Sequence, residues 1–120
     1  MKVMALIYAD EAAWDGLSEQ ERAGVLDRYV ALAREAREAD VMLGGDELAG
    51  TRAATTVRVR DGEVVVSDGP YAEVKEALGG YFLFECATLD EAVGWAACIP
   101  AAEHGAVEVR PVHVDEEEVA

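Results

Sequence analysis

The segment Lys2–Tyr8, "KVMALIY", is apolar almost without interruption. Read as a strand, it puts Val3, Ala5 and Ile7 on one face and Met4, Leu6 and Tyr8 on the other. A strand that is apolar on both faces expects cover on both sides. The pattern then changes period. Ser18-Glu19-Gln20-Glu21 has the form of a capping box. Val25, Leu26, Tyr29, Leu32, Ala33 and Ala36 follow at helical spacing, which predicts a helix ending near Asp40. "VMLGG" (41–45) predicts a second strand, with a loop around Glu47–Ala53.

Thr55–Arg60 and Glu63–Ser67 flank Asp61-Gly62, a strong hairpin signal that sets Val59 opposite Val64 and Val57 opposite Val66. Gly79-Gly80 predict a sharp entry into a strand over Tyr81–Cys86. Thr88-Leu89-Asp90-Glu91 forms a second capping box. Ala92, Trp95, Ala96 and Ile99 make the buried stripe of that helix, and Pro100 stops it. Ala106–Val112 predicts the last strand. The chain thus reads as one domain over residues 1–114 with an acidic tail over 115–120 that is expected to fray.

With the hairpin set aside, the order is βαββαβ. The expected fold class is therefore α+β, ferredoxin-like with an inserted β-hairpin. Two helices cover only one face of such a sheet, and the first strand asks for a second cover. Another copy of the same sheet, packed face to face, is the simplest source. The expectation is a homodimer, a dimeric α/β barrel.

Composition narrows the function. The chain has 120 residues, and its formal charge is 10 − 25 = −15. With the basic residues scattered, nucleic acid and anionic membranes are not expected partners. No apolar run reaches the length of a membrane span and no signal peptide is legible, which points to a cytoplasmic protein. Cys86 and Cys98 fit no CxxC motif and are expected to be buried or half-buried thiols. Two isolated histidines, His104 and His113, offer no metal-ligand spacing, and no cofactor motif is present.

Three groups of residues carry candidate chemistry. In "SDGPYAEVKEALGGYF" (67–82), Asp68-Gly69-Pro70 has a complete explanation as a turn. The same turn could also hold the Asp68 carboxylate at a pocket mouth as a ligand anchor or general base, with Tyr71 as a hydroxyl donor. Lys75, one of two lysines, could pair with an anionic ligand. In the last two strands, alternation puts Glu85, Glu108 and Arg110 on the helix-free face. They form either an ion-pair network or a polar pocket in which Arg110 grips a small anion. Tyr29, on the helix stripe, is either a core tyrosine or a second hydroxyl donor.

These segments, together with "ATTVRVRDGEVVV", "LDEAVGWAACIP" and "VEVRPV", resemble the YCII-related family in its DGPF-domain branch, over nearly the whole chain. Tyr71 stands where the branch's name has phenylalanine. The resemblance implies a dimeric ferredoxin-like α+β barrel with a cleft between sheet and helices or between subunits. It implies no settled activity. A histidine–aspartate pair is the proposed centre of shorter relatives, but helix position puts Tyr29 where their histidine stands, so that chemistry does not carry over. The functional expectation is a small cofactor-independent enzyme, of isomerase, lyase or hydrolase type, acting on a small polar or anionic metabolite in a dimer pocket. Asp68, Tyr29 and Tyr71 would be catalytic, and Lys75, Arg110, Glu108 and Glu85 would bind the ligand. The alternative is a non-catalytic binding or regulatory module, in one version associated with a sigma factor.

Overall fold

The computed structural model describes residues 1–115. Six strands and three α-helices run in the order β1 (Lys2–Ala9), α1 (Glu11–Asp15), α2 (Glu19–Glu38), β2 (Met42–Glu47), β3 (Thr55–Arg60), β4 (Glu63–Asp68), β5 (Ala77–Glu85), α3 (Leu89–Ala97) and β6 (Ala106–Pro111). The four-stranded antiparallel sheet has the order β2-β5-β1-β6, and β3-β4 form a separate two-stranded sheet. That order is compatible with a ferredoxin-like α+β fold. The acidic-tail expectation falls, beyond Asp115, outside the described residues.

Local signals explain most boundaries. The Ser18 hydroxyl accepts from the Glu21 amide at 3.1 Å, and the Glu21 carboxylate accepts from the Ser18 amide at 3.0 Å. Both halves of the capping box are therefore made at the start of α2. At α3 only one half follows the motif. Thr88 accepts from the Glu91 amide at 3.2 Å, but Glu91 reaches back one residue further, to the Ala87 amide at 3.0 Å. Helix α3 stops before Pro100, which is buried at the first position of a 3-10 turn over Pro100–Glu103. Asp61 and Gly62 take φ of 51° and 77°, the left-handed pair that a two-residue hairpin turn requires. The predicted cross-strand pairs, Val57 with Val66 and Val59 with Val64, are both present.

Helix α1 was not expected. Asp10 caps it by accepting from the Ala12 amide at 3.0 Å, and Gly16 closes it. Strand β5 also begins at Ala77, four residues before the expected start, so Gly79 and Gly80 lie within it. Ile7 pairs with Gly80 and Tyr8 with Leu78, leaving Gly79 as a bulge. Gly80 lies where β2 runs so close that an added Cβ would come within 2.8 Å of the Asp46 carbonyl oxygen.

The core lies between the sheet and helices α2 and α3. Val3, Ala5 and Ile7 are buried there with Phe82, Phe84, Leu32, Ala36, Ala92 and Ile99. The opposite residues of β1 are only half-buried. Met4 and Leu6 pair with Leu83 and Tyr81 on one side and with Arg110 and Glu108 on the other. Among the described residues no helix covers this face. Cys86 is buried, as expected, but Cys98 is exposed. It falls at the C-cap of α3, one residue past the helix and outside its buried stripe.

Two measurements follow. Gly80→Ala is expected to destabilise the fold by about 1–3 kcal/mol, because the Cβ would meet backbone that cannot yield without spoiling the β2-β5 ladder; chemical denaturation reads the loss. In the native protein a thiol reagent should modify Cys98 rapidly, while Cys86 reacts only on unfolding; mass spectrometry of labelled peptides separates the two.

Candidate functional site

A cleft of about 1170 Å³ lies between α1, α2, the loop after β2 and one end of the sheet. Its apolar wall includes Ile7, Trp14, Leu17, Val25, Leu26 and Phe82, and its polar groups include Asp10, Tyr29, Arg37, Glu47, Arg52 and His104. It is somewhat larger than the usual range for small-ligand sites and is mostly apolar with a few polar groups, as such sites are.

Tyr29 occupies its inner side. The ring stacks on Phe82 at a centroid distance of 6.4 Å, and Phe82 stacks in turn on Phe84 at 5.7 Å. Burial pushes the Tyr29 phenol above its ordinary value of 10.0, against a smaller opposing effect of a backbone hydrogen bond at Ala101. At neutral pH the phenol is a neutral hydroxyl, able to donate and to accept.

The outer wall is tied down. Glu11 of α1 accepts from the Thr51 amide at 2.8 Å and from the Thr51 hydroxyl at 2.9 Å, clamping the helix to the loop after β2. Arg22 of α2 donates to the Trp14 and Asp15 carbonyls at 3.2 and 2.7 Å. Below His104, Arg28 and Glu103 form an ion pair that joins α2 to the turn after α3. The hydrogen bond from Arg28 holds the Glu103 carboxyl below its ordinary range. Both members are half-exposed or more, so the pair fixes geometry more than it adds stability.

The expected site residues fall at three separate places within one chain. Tyr29 alone lines the cleft. Glu85, Glu108 and Arg110 are on the helix-free face of the sheet, where Arg110 donates to Glu108 at 2.6 Å and Glu85 meets the N-terminal ammonium at 3.2 Å. Asp68, Tyr71 and Lys75 stand exposed at the base of the hairpin and in the segment that follows it. The turn there is firmly built: the Gly69 amide donates to the Ala54 carbonyl at 2.8 Å, and the Thr56 hydroxyl donates to the Gly69 carbonyl at 2.9 Å. Gly69 has φ 99°, which favours glycine. Arg58 lies over the Tyr71 ring, 5.0 Å from its centroid. Behind this turn is a shallow groove of about 520 Å³, lined by Arg52, Pro70, Glu73 and Val74 among others.

Trp14, Arg37, Glu47 and Arg52 line the cleft but were missed by sequence reasoning. For Trp14 a signal existed: Asp10 before "EAAWDG" is a cap-helix-glycine pattern, too short to stand out. The others come from separate elements, and only the register brings them together.

An antiparallel sheet with helices on one face and a helix-side cleft defines a mixed α+β domain, compatible with a ferredoxin-like fold. The family model of the YCII-related domain matches residues 1–114. The chain is also 39% identical over 114 residues to the uncharacterized protein R00369 of Rhizobium meliloti (strain 1021), an alignment that spans 93% of this chain and 92% of that one. The chain belongs to the YCII-related family. Among the described residues no helix is long and apolar enough to cross a membrane.

The Tyr29 environment sets a pH dependence. A phenol whose folded pKa is raised contributes stability that is fully present below its unfolded value and is lost as the pH rises through the folded one. Wild type should therefore lose stability between neutral pH and a pH above 10.0 more steeply than Tyr29→Phe, whose ring cannot ionise. Denaturant midpoints of both proteins at neutral and alkaline pH measure the difference.

Proposed function

We propose that this YCII-related protein acts as a homodimer that binds a small polar metabolite in the cleft between α2 and the sheet. The observation that carries this reading is Tyr29, a half-buried and neutral hydroxyl set in an apolar wall of that cleft. Arg37, Arg52 and His104 line the same space and would receive an anionic group of the ligand. The dimer rests on the half-buried row of Met4, Leu6, Tyr8, Tyr81 and Leu83, an apolar strip of sheet that the chain's own helices leave uncovered. On that face Arg110, Glu108 and Glu85 would meet the second copy, as an ion-pair network or as the wall of a second polar space.

A catalytic version is favoured by one further observation, the rigid backbone that holds Asp68. In it the chain is a cofactor-independent isomerase, lyase or hydrolase. The Asp68 carboxylate moves the proton, with Tyr71 and Lys75 beside it, on a ligand that a second copy presents to the hairpin base. A binding or regulatory role uses the cleft alone.

A thermal-shift screen across metabolite classes tests both versions. A ligand of the cleft should raise the melting temperature of the wild type. Tyr29→Phe should weaken binding of that ligand about fivefold to tenfold, the net value of one hydrogen bond. Asp68→Asn should leave its affinity unchanged but abolish turnover if turnover exists. A ligand bound equally well by Tyr29→Phe would remove the cleft reading.

A further inference from the structure

Among the described residues, the hairpin β3-β4 stands largely apart from the body of the domain. Every residue from 57 to 68 is exposed, and its two strands form a sheet of their own. Val57, Val59, Val64 and Val66, paired across the ribbon, share one face at 59–67% exposure. A lone two-stranded ribbon is marginal in water and needs an apolar surface to pack on. The chain is also more extended than a compact domain. The radius of gyration is 16.6 Å, against about 13.6 Å expected of a compact chain of this length.

We propose that this hairpin is an arm whose four-valine face packs on a second copy of the chain. The inference rests on the homodimer reading above and adds the surface that grips. Charge favours this occupant. The arm, residues 55–68, holds Arg58 and Arg60 against Asp61, Glu63 and Asp68, a formal charge of 2 − 3 = −1, whereas the remainder carries −14 of the −15. The arm is thus a nearly neutral element with an apolar face, which can approach a strongly acidic copy with little repulsion. Area agrees. At about 75 Å² of apolar surface per buried valine, two symmetry-related arms and the surfaces beneath them bury about 1,200 Å², the lower bound for a stable interface. The open sheet faces add to it. Asp68 and Tyr71 sit at the arm's base, so its seating decides what they face.

The test compares full-length wild type with a variant carrying Val57→Thr, Val59→Thr, Val64→Thr and Val66→Thr, which keeps shape and strand preference but adds four hydroxyls. Val65→Thr, on the ribbon's other face, is the control. Sedimentation over a concentration series gives the dimer constant, and hydrogen exchange over the same series gives the protection of amides 55–68. Expected are a dimeric wild type, a control with the same constant, and a fourfold variant weakened by roughly tenfold or more. Arm protection should be lost on dilution. A dimeric wild type whose constant the fourfold variant leaves unchanged overturns the arm and leaves the dimer standing. A wild type monomeric at every concentration overturns both. Arm protection that persists unchanged in the monomer means the valines pack on their own chain, which also overturns the inference.

Discussion

The architecture depends on one strand being apolar on both of its faces. β1 lies between β5 and β6, so its backbone bonds are satisfied on both edges. Its side chains must still find cover on two sides. One side is solved within the chain: Val3 and Ala5 are fully buried under α2 and α3, against Phe82 and Phe84. The other side, Met4, Leu6 and Tyr8, is only half-buried beside its strand neighbours. Burial of that apolar surface is worth roughly 25 cal/mol per Å², the same driving force that holds the core. A sheet left in this condition is the physical ground for a second copy.

The sheet also divides the chemistry. Its helix side carries the Tyr29 cleft, and its open side carries Arg110 with Glu108 and Glu85. The sheet itself stands between these groups, so they face opposite sides of it. Asp68 and Tyr71 belong to neither surface. They sit where the hairpin leaves the body, held by the Ala54–Gly69 and Thr56–Gly69 hydrogen bonds. In the proposed homodimer, face and arm would become shared surfaces, and groups distant within a chain would be able to approach those of the second copy.

The cleft illustrates how a modest set of contacts builds a site. Glu11 gripping Thr51 and Arg22 gripping the end of α1 turn a five-residue helix, too short to persist alone, into a fixed wall. Trp14 is thereby presented to the cavity. The same economy governs the hairpin turn, where Asp61 and Gly62 supply the positive φ values and nothing else is required.

Much of this was legible in the residues alone. The capping box at Ser18, the Asp61-Gly62 turn, the valine pairing across it and the stop before Pro100 all depend on interactions within a few positions, which a sequence displays directly. The alternation of β5 and β6 correctly placed Glu85, Glu108 and Arg110 on the helix-free face. What only the tertiary structure decided is where distant segments meet. The bulge at Gly79, the early start of β5, the exposure of Cys98, and the gathering of Tyr29, Trp14, Arg37 and Arg52 around one cavity follow from register and close backbone approach between elements. Such contacts are fixed by packing in three dimensions, and residues far apart along the chain carry no local mark of it.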